Sequence, residues 1–185
     1  MSEFIKLGDD HNGNATGMVK NGNEEYIFKP RDAATEKAWQ TFLDRLGKMG
    51  FEYLPGFVSV LDEKDGTHTE KVVRHTSTDK DGIKRYYKRF GSLVFLTYIL
   101  ASTDLHAENI IANGEYPVIV DMENLLSSNI TRTQDKRGIN STALGSQLTP
   151  KFYGDIDTSG GSGTVANGNN LPTVDGKAMP ILRNL

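Results

Sequence analysis

The sequence contains no cysteine. That excludes disulfides and thiolate metal sites, and it fits a reducing cytoplasm. Charge of either sign is not in excess: the formal net charge is −3, with 24% charged residues. The chain therefore lacks the electrostatic footprint that nucleic acid or an acidic membrane surface calls for. Long hydrophobic runs are missing too, and the longest, within Leu93 to Ala101, falls short of a bilayer. The N-terminus, Met1-Ser2-Glu3-Phe4, lacks the basic and apolar blocks of a signal peptide. These absences lead us to expect a soluble, cytoplasmic protein with no membrane span and no nucleic-acid partner. Its 185 residues allow one domain with a core, or one domain and a tail.

What is present begins with a polar, glycine-rich stretch, Gly8 to Asn14, read as a loop. Two extended runs, Gly17 to Lys20 and Glu24 to Lys29, flank Asn21-Gly22 and predict a hairpin, because Asn and Gly tolerate the positive φ of a tight turn. Lys29 then ends the second strand. From Asp32 the pattern turns helical, with Asp32 or Thr35 as cap and Trp39, Phe42, Leu43 and Leu46 at helical spacing. Gly56 to Leu61 and Thr67 to His75 read as strands around Asp65-Gly66. Asp79 starts a long helix to about Ala101, with Ile83, Tyr86, Tyr87, Phe90, Leu93, Val94 and Tyr98 as its apolar face. The order predicts an α+β domain with an antiparallel N-terminal sheet and a helical C-terminal part. Residues 131–185 are rich in Gly, Ser, Thr and Asn and are expected to bury little and to be weakly structured.

The chemistry concentrates after the long helix, in Thr103-Asp104-Leu105-His106-Ala107-Glu108-Asn109 and then Val118-Ile119-Val120-Asp121-Met122-Glu123. Phosphoryl transfer from ATP needs cations on the phosphates, oxygen ligands for Mg²⁺ and a carboxylate to orient the accepting hydroxyl. Kinases supply an Asp, an Asn five positions later and a metal-binding Asp beyond a short hairpin. Asp104 and Asn109 have that spacing, and Asp121 follows Asn109 by 12 residues. Asp104 is then the base or orienting group, Asn109 and Asp121 the metal ligands, and Lys29 the phosphate-contacting lysine. Each of these residues alone would pass for a turn former or cap; the joint pattern is far more specific. His106 has two readings, one holding the loop through backbone bonds and one positioning Asp104 or moving a proton. Glu123 is either a metal ligand, a partner to one, or a solvated strand end.

The stretch from Thr103 through Asn113-Gly114-Glu115-Tyr116-Pro117 to Glu123 resembles the dehydratase domain of class II lanthipeptide synthetases, the LanM type. Gly8-Asp9-Asp10-His11, the Tyr-x-x-Lys-Pro-Arg run Tyr26 to Arg31, and Lys84 to Gly91 match that family in the same order, so the resemblance covers about Leu7 to Leu126. It implies a divergent kinase fold, closest to lipid kinases, in an incomplete form, with 1–130 as the kinase-like core. It further implies an enzyme that phosphorylates Ser and Thr of a lanthipeptide precursor peptide with ATP and Mg²⁺, then eliminates phosphate to leave dehydroalanine or dehydrobutyrine. Carried over by position, Asp104, His106, Asn109 and Asp121 serve phosphorylation and metal binding, and Lys29 meets the phosphates. Asp9 and His11 would lie over the phosphates and assist elimination.

Departures from the family pattern are equally plain. Family members are far longer and carry a C-terminal zinc cyclase. Here histidine occurs only at 11, 68, 75 and 106 and cysteine not at all, so no zinc site is expected. The expectation is a fragment, or a split or decayed gene, carrying the kinase core but lacking the cyclase and part of the phosphate-elimination machinery, with the remaining synthetase segments as a separate partner chain. One rival is an inactive remnant or partner-dependent nucleotide- or peptide-binding subunit. Another is a small-molecule phosphotransferase, whose aminoglycoside and choline kinase types share D-x-H-x-x-N.

Overall fold

Tight turns punctuate the N-terminal part of the chain, and the strands follow that punctuation. The computed structural model describes residues 2–11, 14–62, 65–76, 79–125, 146–149, 152–153, 156–157, 159–161 and 170–179. Strands β1 (Glu3–His11), β2 (Asn14–Asn21) and β3 (Glu24–Lys29) form an antiparallel meander. Gly22, in the two-residue connection between β2 and β3, has φ +65°, a conformation that a residue without Cβ enters freely. With β4 (Val60–Asp62) and β5 (Thr67–Glu70) they make a five-stranded sheet in the order β1-β2-β3-β5-β4.

Three expectations for this region are corrected. Gly8 to His11 is not a loop but the end of β1, and Asn14 opens β2, so the polar stretch is the tip of a hairpin with irregular register between Lys6 and Asp10. The extended runs Gly56 to Leu61 and Thr67 to His75 also pair over shorter lengths than expected. Their remaining backbone groups go to a later hairpin: Gly56 N–H donates to Pro117 O at 3.0 Å and His75 N–H to Ala112 O at 3.1 Å. That hairpin is β6 (Ile110–Asn113) with β7 (Tyr116–Ile119), so the segments flanking β4 and β5 are joined to it through main-chain bonds.

Helix α1 (Ala34–Lys48) buries Trp39 and Leu43, with Phe42 and Leu46 packed beside them, as the spacing predicts. The expected cap is corrected: the N-cap position is Ala33, with no side-chain capping bond, because Asp32 lies one residue too early, its Oδ1 accepting from Ala34 N–H at 2.9 Å, and Thr35 lies within the first turn. Helix α2 (Lys80–Ile99) is capped by Asp79, whose Oδ1 accepts from Gly82 N–H at 2.6 Å. Its buried stripe runs through Tyr86, Phe90, Leu93 and Leu96, and each of these large side chains contributes about 2 kcal/mol by leaving water. Tyr98, expected on this stripe, is exposed, because Tyr87 and Val94 already mark the stripe's half-buried edge.

The glycine-rich C-terminal segment buries more than its composition predicts. Leu148 belongs to the main core, and Ser159, Gly160, Gly161, Asn170 and Leu171 are all buried. Small residues make this possible: a Cβ on Gly160 would stand 2.6 Å from Leu105 O, so only glycine lets the two backbones approach. The segment also holds the short pairs β8 (Phe152–Tyr153) with β9 (Ile156–Asp157), and β10 (Thr173–Val174) with β11 (Lys177–Ala178). Among the described residues, no helix is long and apolar enough to cross a membrane.

Candidate functional site

Beyond Ile99 the chain reverses through two residues in the left-handed region, Ala101 at φ 51° and Asp104 at φ 65°. Aspartate tolerates this better than most residues with a Cβ, yet it stores strain that the surroundings must sustain. Leu105 and Ala107, both buried, anchor the loop on either side of His106, and Leu105 N–H donates to Ser146 O at 2.9 Å. The Asp104 carboxylate remains 47% exposed. Two neutral amides stand at its oxygens, Asn124 Nδ2 near Oδ2 and Gln147 Nε2 near Oδ1, each at 3.5 Å.

His106 caps the single 3₁₀ turn Ala107–Asn109, its Nδ1 accepting from Glu108 N–H at 3.3 Å. Its Nε2 lies 3.4 Å from Asn109 Nδ2 and 3.8 Å from Asp104 Oδ1, an acceptor of the first or a donor to the second according to the ring tautomer. The ring thus holds the loop and faces the carboxylate at once. Asn109 spends its Nδ2 on the Asp104 carbonyl at 2.8 Å, which closes the loop and explains the five-residue spacing. Its side-chain oxygen is the group left for a ligand. Val120 N–H donates to Asn109 O at 2.9 Å, tying this turn to the far end of the β6–β7 hairpin.

Asp121, just past β7, meets the sheet. Lys29, at the end of β3 and 6% exposed, donates to Val120 O at 2.7 Å and lies 3.3 Å from Glu36 Oε1 and 3.6 Å from Asp121 Oδ1. Arg31 grips Glu36 with both arms, Nη2 to Oε1 at 2.6 Å and Nη1 to Oε2 at 2.9 Å, and its Nη2 is 3.6 Å from Asp121 Oδ1. Burial alone would push the Glu36 carboxyl up, but the Arg31 hydrogen bonds and the charges of Lys29 and Arg31 hold it below its ordinary value. Burial likewise opposes the Arg31 charge, and the Glu36 pairing together with Asp121 and Glu123 outweighs it, raising the guanidinium further.

The fold therefore brings Lys29 to Asp121, and Asp104 to His106 and Asn109. Glu123 is exposed and acts on Arg31 by charge. Asp9 and His11 lie in the last residues of β1, and their side chains are outside the described residues. Among the described residues, no group of three or more His, Cys, Asp or Glu is assembled around one point. A magnesium–phosphate site needs less, since Mg²⁺ takes one or two protein carboxylates and completes its shell with amide, water and phosphate oxygens. A 42% exposed Asp121 carboxylate and the Asn109 side-chain oxygen are of the chemical type that oxygen-only donor set uses.

Sequence reasoning missed Glu36, Arg31, Asn124 and Gln147. Glu36 left one trace, being spaced three and seven residues from Trp39 and Leu43 and so on the buried face of α1. Asn124 and Gln147 left none, since their approach to Asp104 depends on distant backbone.

A family model described as a domain of unknown function (DUF4135) matches residues 4–180, and the chain belongs to that family. The chain is also similar to the lacticin 481/lactococcin biosynthesis protein LcnDR2 of Lactococcus lactis subsp. lactis, at 30% identity over 128 residues. That match covers 65% of this chain and 14% of the relative, so the chain spans a small part of that protein's length.

Proposed function

We propose that this chain carries the phosphoryl-transfer site of a kinase-like module in lanthipeptide biosynthesis, acting on Ser and Thr hydroxyls of a precursor peptide with ATP and Mg²⁺. The observation that carries the reading is the meeting of Lys29, Glu36 and Asp121. A lysine at a strand end, a glutamate on the next helix and an aspartate beyond a later hairpin are the parts that position ATP and metal in kinases. The five-stranded antiparallel sheet with α1 between β3 and β4, and the Asp104–Asn109 loop after a long helix, support a kinase-like architecture. The relative's name supports the biosynthetic setting and a peptide substrate.

In this reading Lys29 neutralises nucleotide phosphate, and Asn109 and Asp121 supply oxygen ligands for Mg²⁺. When bound, Mg²⁺ would draw charge from the phosphates during transfer. Asp104 accepts the hydroxyl hydrogen bond of the incoming Ser or Thr and takes up its proton as the new O–P bond forms and the bond from the γ-phosphorus to the β,γ-bridging oxygen breaks, with ADP as the leaving group. His106 orients Asp104 through the Nε2 that faces it. Asp9 and His11, in the last residues of β1, would assist the subsequent loss of phosphate, in which the Cα proton is removed, the Cα=Cβ double bond forms, and the Cβ–O bond breaks as phosphate leaves.

The test is direct. The chain is incubated with ATP, Mg²⁺ and a lanthipeptide precursor, and the peptide is weighed by mass spectrometry. A phosphate adduct or loss of water that disappears in Asp104→Ala and Asp121→Ala supports the reading. A folded chain that binds no ATP overturns it and leaves the remnant reading.

A further inference from the structure

Two segments distant in sequence meet the Asp104 carboxylate, and the neighbours of Asp104 hold both in place. Thr103 N–H donates to Asn124 O at 3.3 Å, and Leu105 N–H donates to Ser146 O at 2.9 Å. Main-chain bonds thus tie the loop to the turn after β7 and to the C-terminal segment. Each of these segments returns one amide: Asn124 Nδ2 stands at Asp104 Oδ2 and Gln147 Nε2 at Oδ1, both at 3.5 Å. Gln147 reaches the carboxylate from a backbone at φ +67°, where a residue with a Cβ is strained. The surroundings sustain that strain. Gly160 N–H donates to Gln147 O and Gly161 N–H to Leu148 O, each at 2.9 Å, while Ser146 and Leu148 on either side are buried. A strained residue held this firmly beside a site points to a role for its side chain.

We propose that Asn124 and Gln147 are positioning residues for Asp104: one amide at each carboxylate oxygen fixes its rotation toward the incoming Ser or Thr hydroxyl. This deepens the phosphoryl-transfer reading and rests on it. An ionised carboxylate only accepts hydrogen bonds and has about four lone pairs, so two amides leave acceptor sites open on a side chain that is 47% exposed. Among the described residues, the ionisable partner facing Asp104 is His106, not a lysine or arginine. A permanent positive charge at that place would weaken a base, whereas an amide steadies it through its dipole. Contacts of 3.5 Å are long, as catalytic hydrogen bonds commonly are before substrate arrives and tightens them.

The experiment is steady-state phosphorylation of a lanthipeptide precursor with ATP and Mg²⁺. It compares the wild type with Gln147→Gly, Asn124→Ala, Asp104→Asn, and Gln147→Gly combined with Asp104→Asn. Gln147→Gly removes the amide and relieves the positive φ, so its melting temperature should not fall below wild type. Loss of one hydrogen bond predicts a kcat about five- to tenfold lower in Gln147→Gly and in Asn124→Ala. The KM values for ATP and peptide should stay within about threefold of wild type. In the Asp104→Asn background, Gln147→Gly should cost no further activity, because the group it positions is gone. A side chain that merely supports the fold would lower kcat by the same factor in both backgrounds. One that touches nucleotide or peptide would raise a KM instead. Either outcome, or a Gln147→Gly chain with wild-type kcat, overturns this inference alone. If Asn124→Ala fails to fold, Gln147→Gly decides. A wild type that transfers no phosphate overturns the parent reading and this inference together.

Discussion

The Lys29 ammonium stands 3.3 Å from the Glu36 carboxylate, joining the end of β3 to the first turn of α1 where both side chains are buried. The same ammonium lies 3.6 Å from Asp121, so one lysine connects the sheet, the first helix and the second hairpin. The consequences can be measured.

Glu36 makes the fold sensitive to acid. Its carboxyl is held below the ordinary value in the folded chain, so its contribution is fully present above the usual carboxylate range. It disappears as pH falls through the lowered folded value. Urea denaturation followed by Trp39 fluorescence should show wild-type stability falling more steeply than that of Glu36→Gln from neutral pH to about pH 3. At neutral pH the variant is expected to be about 2 kcal/mol less stable, since it leaves two buried or half-buried cations short of a partner. Parallel pH profiles would remove Glu36 as the source.

On the proposed function, Asp104→Asn preserves shape and removes the group proposed to accept the hydroxyl proton. Peptide phosphorylation should fall by about 10²–10⁴, the usual contribution of a positioned acid–base group. ATP affinity, measured by calorimetry, should stay within about threefold of wild type because no phosphate contact is altered. An equal loss in both would mean that Asp104 supports nucleotide binding instead.

Gly160→Ala tests whether the C-terminal segment supports the loop. The new methyl would meet Leu105 O at 2.6 Å and Leu148 Cδ2 at 2.9 Å, and a backbone oxygen cannot swing aside. A destabilisation of about 1–3 kcal/mol is expected, together with loss of phosphorylation as the backbone beside Asp104 shifts. A variant with wild-type melting and activity would refute the packing.

Glu115→Ala removes the acid that receives Arg85 and Arg89 from α2 onto the β6–β7 turn. Arg89, with a 9% exposed side chain and its guanidinium 4.1 Å from the Tyr116 ring centre, would lose its carboxylate. About 2 kcal/mol of stability should go, less than for a fully buried pair because Glu115 is partly wetted. Thermal melting checks this.

Much of the site was legible because its spacing is local. Asp104 and Asn109 close one loop through a single bond, and Asp121 follows a hairpin whose strands and turn are written in consecutive residues. The cap at Asp79 and the buried faces around Trp39 and Tyr86 are local in the same sense. Where the reading went astray, a distant neighbour outweighed the local pattern. The strand ends near Gly56 and His75 were drawn off to the second hairpin, and the glycine-rich tail packs because Leu105 and Leu148 offer it a surface.

The sequence by itself determined the helices, the β2–β3 hairpin and the order of polar residues, since each depends on chain stiffness, turn chemistry and hydrophobic period over a few positions. Only the tertiary structure decided which charges face one another. Arg31 reads as the last letter of a strand motif, and Glu36 as an ordinary helix residue. They become a bidentate pair beside Lys29 and Asp121 because folding buries Glu36 and Lys29 and half-covers Arg31, while Asp121 stays 42% exposed, and a buried charge left without a partner is costly.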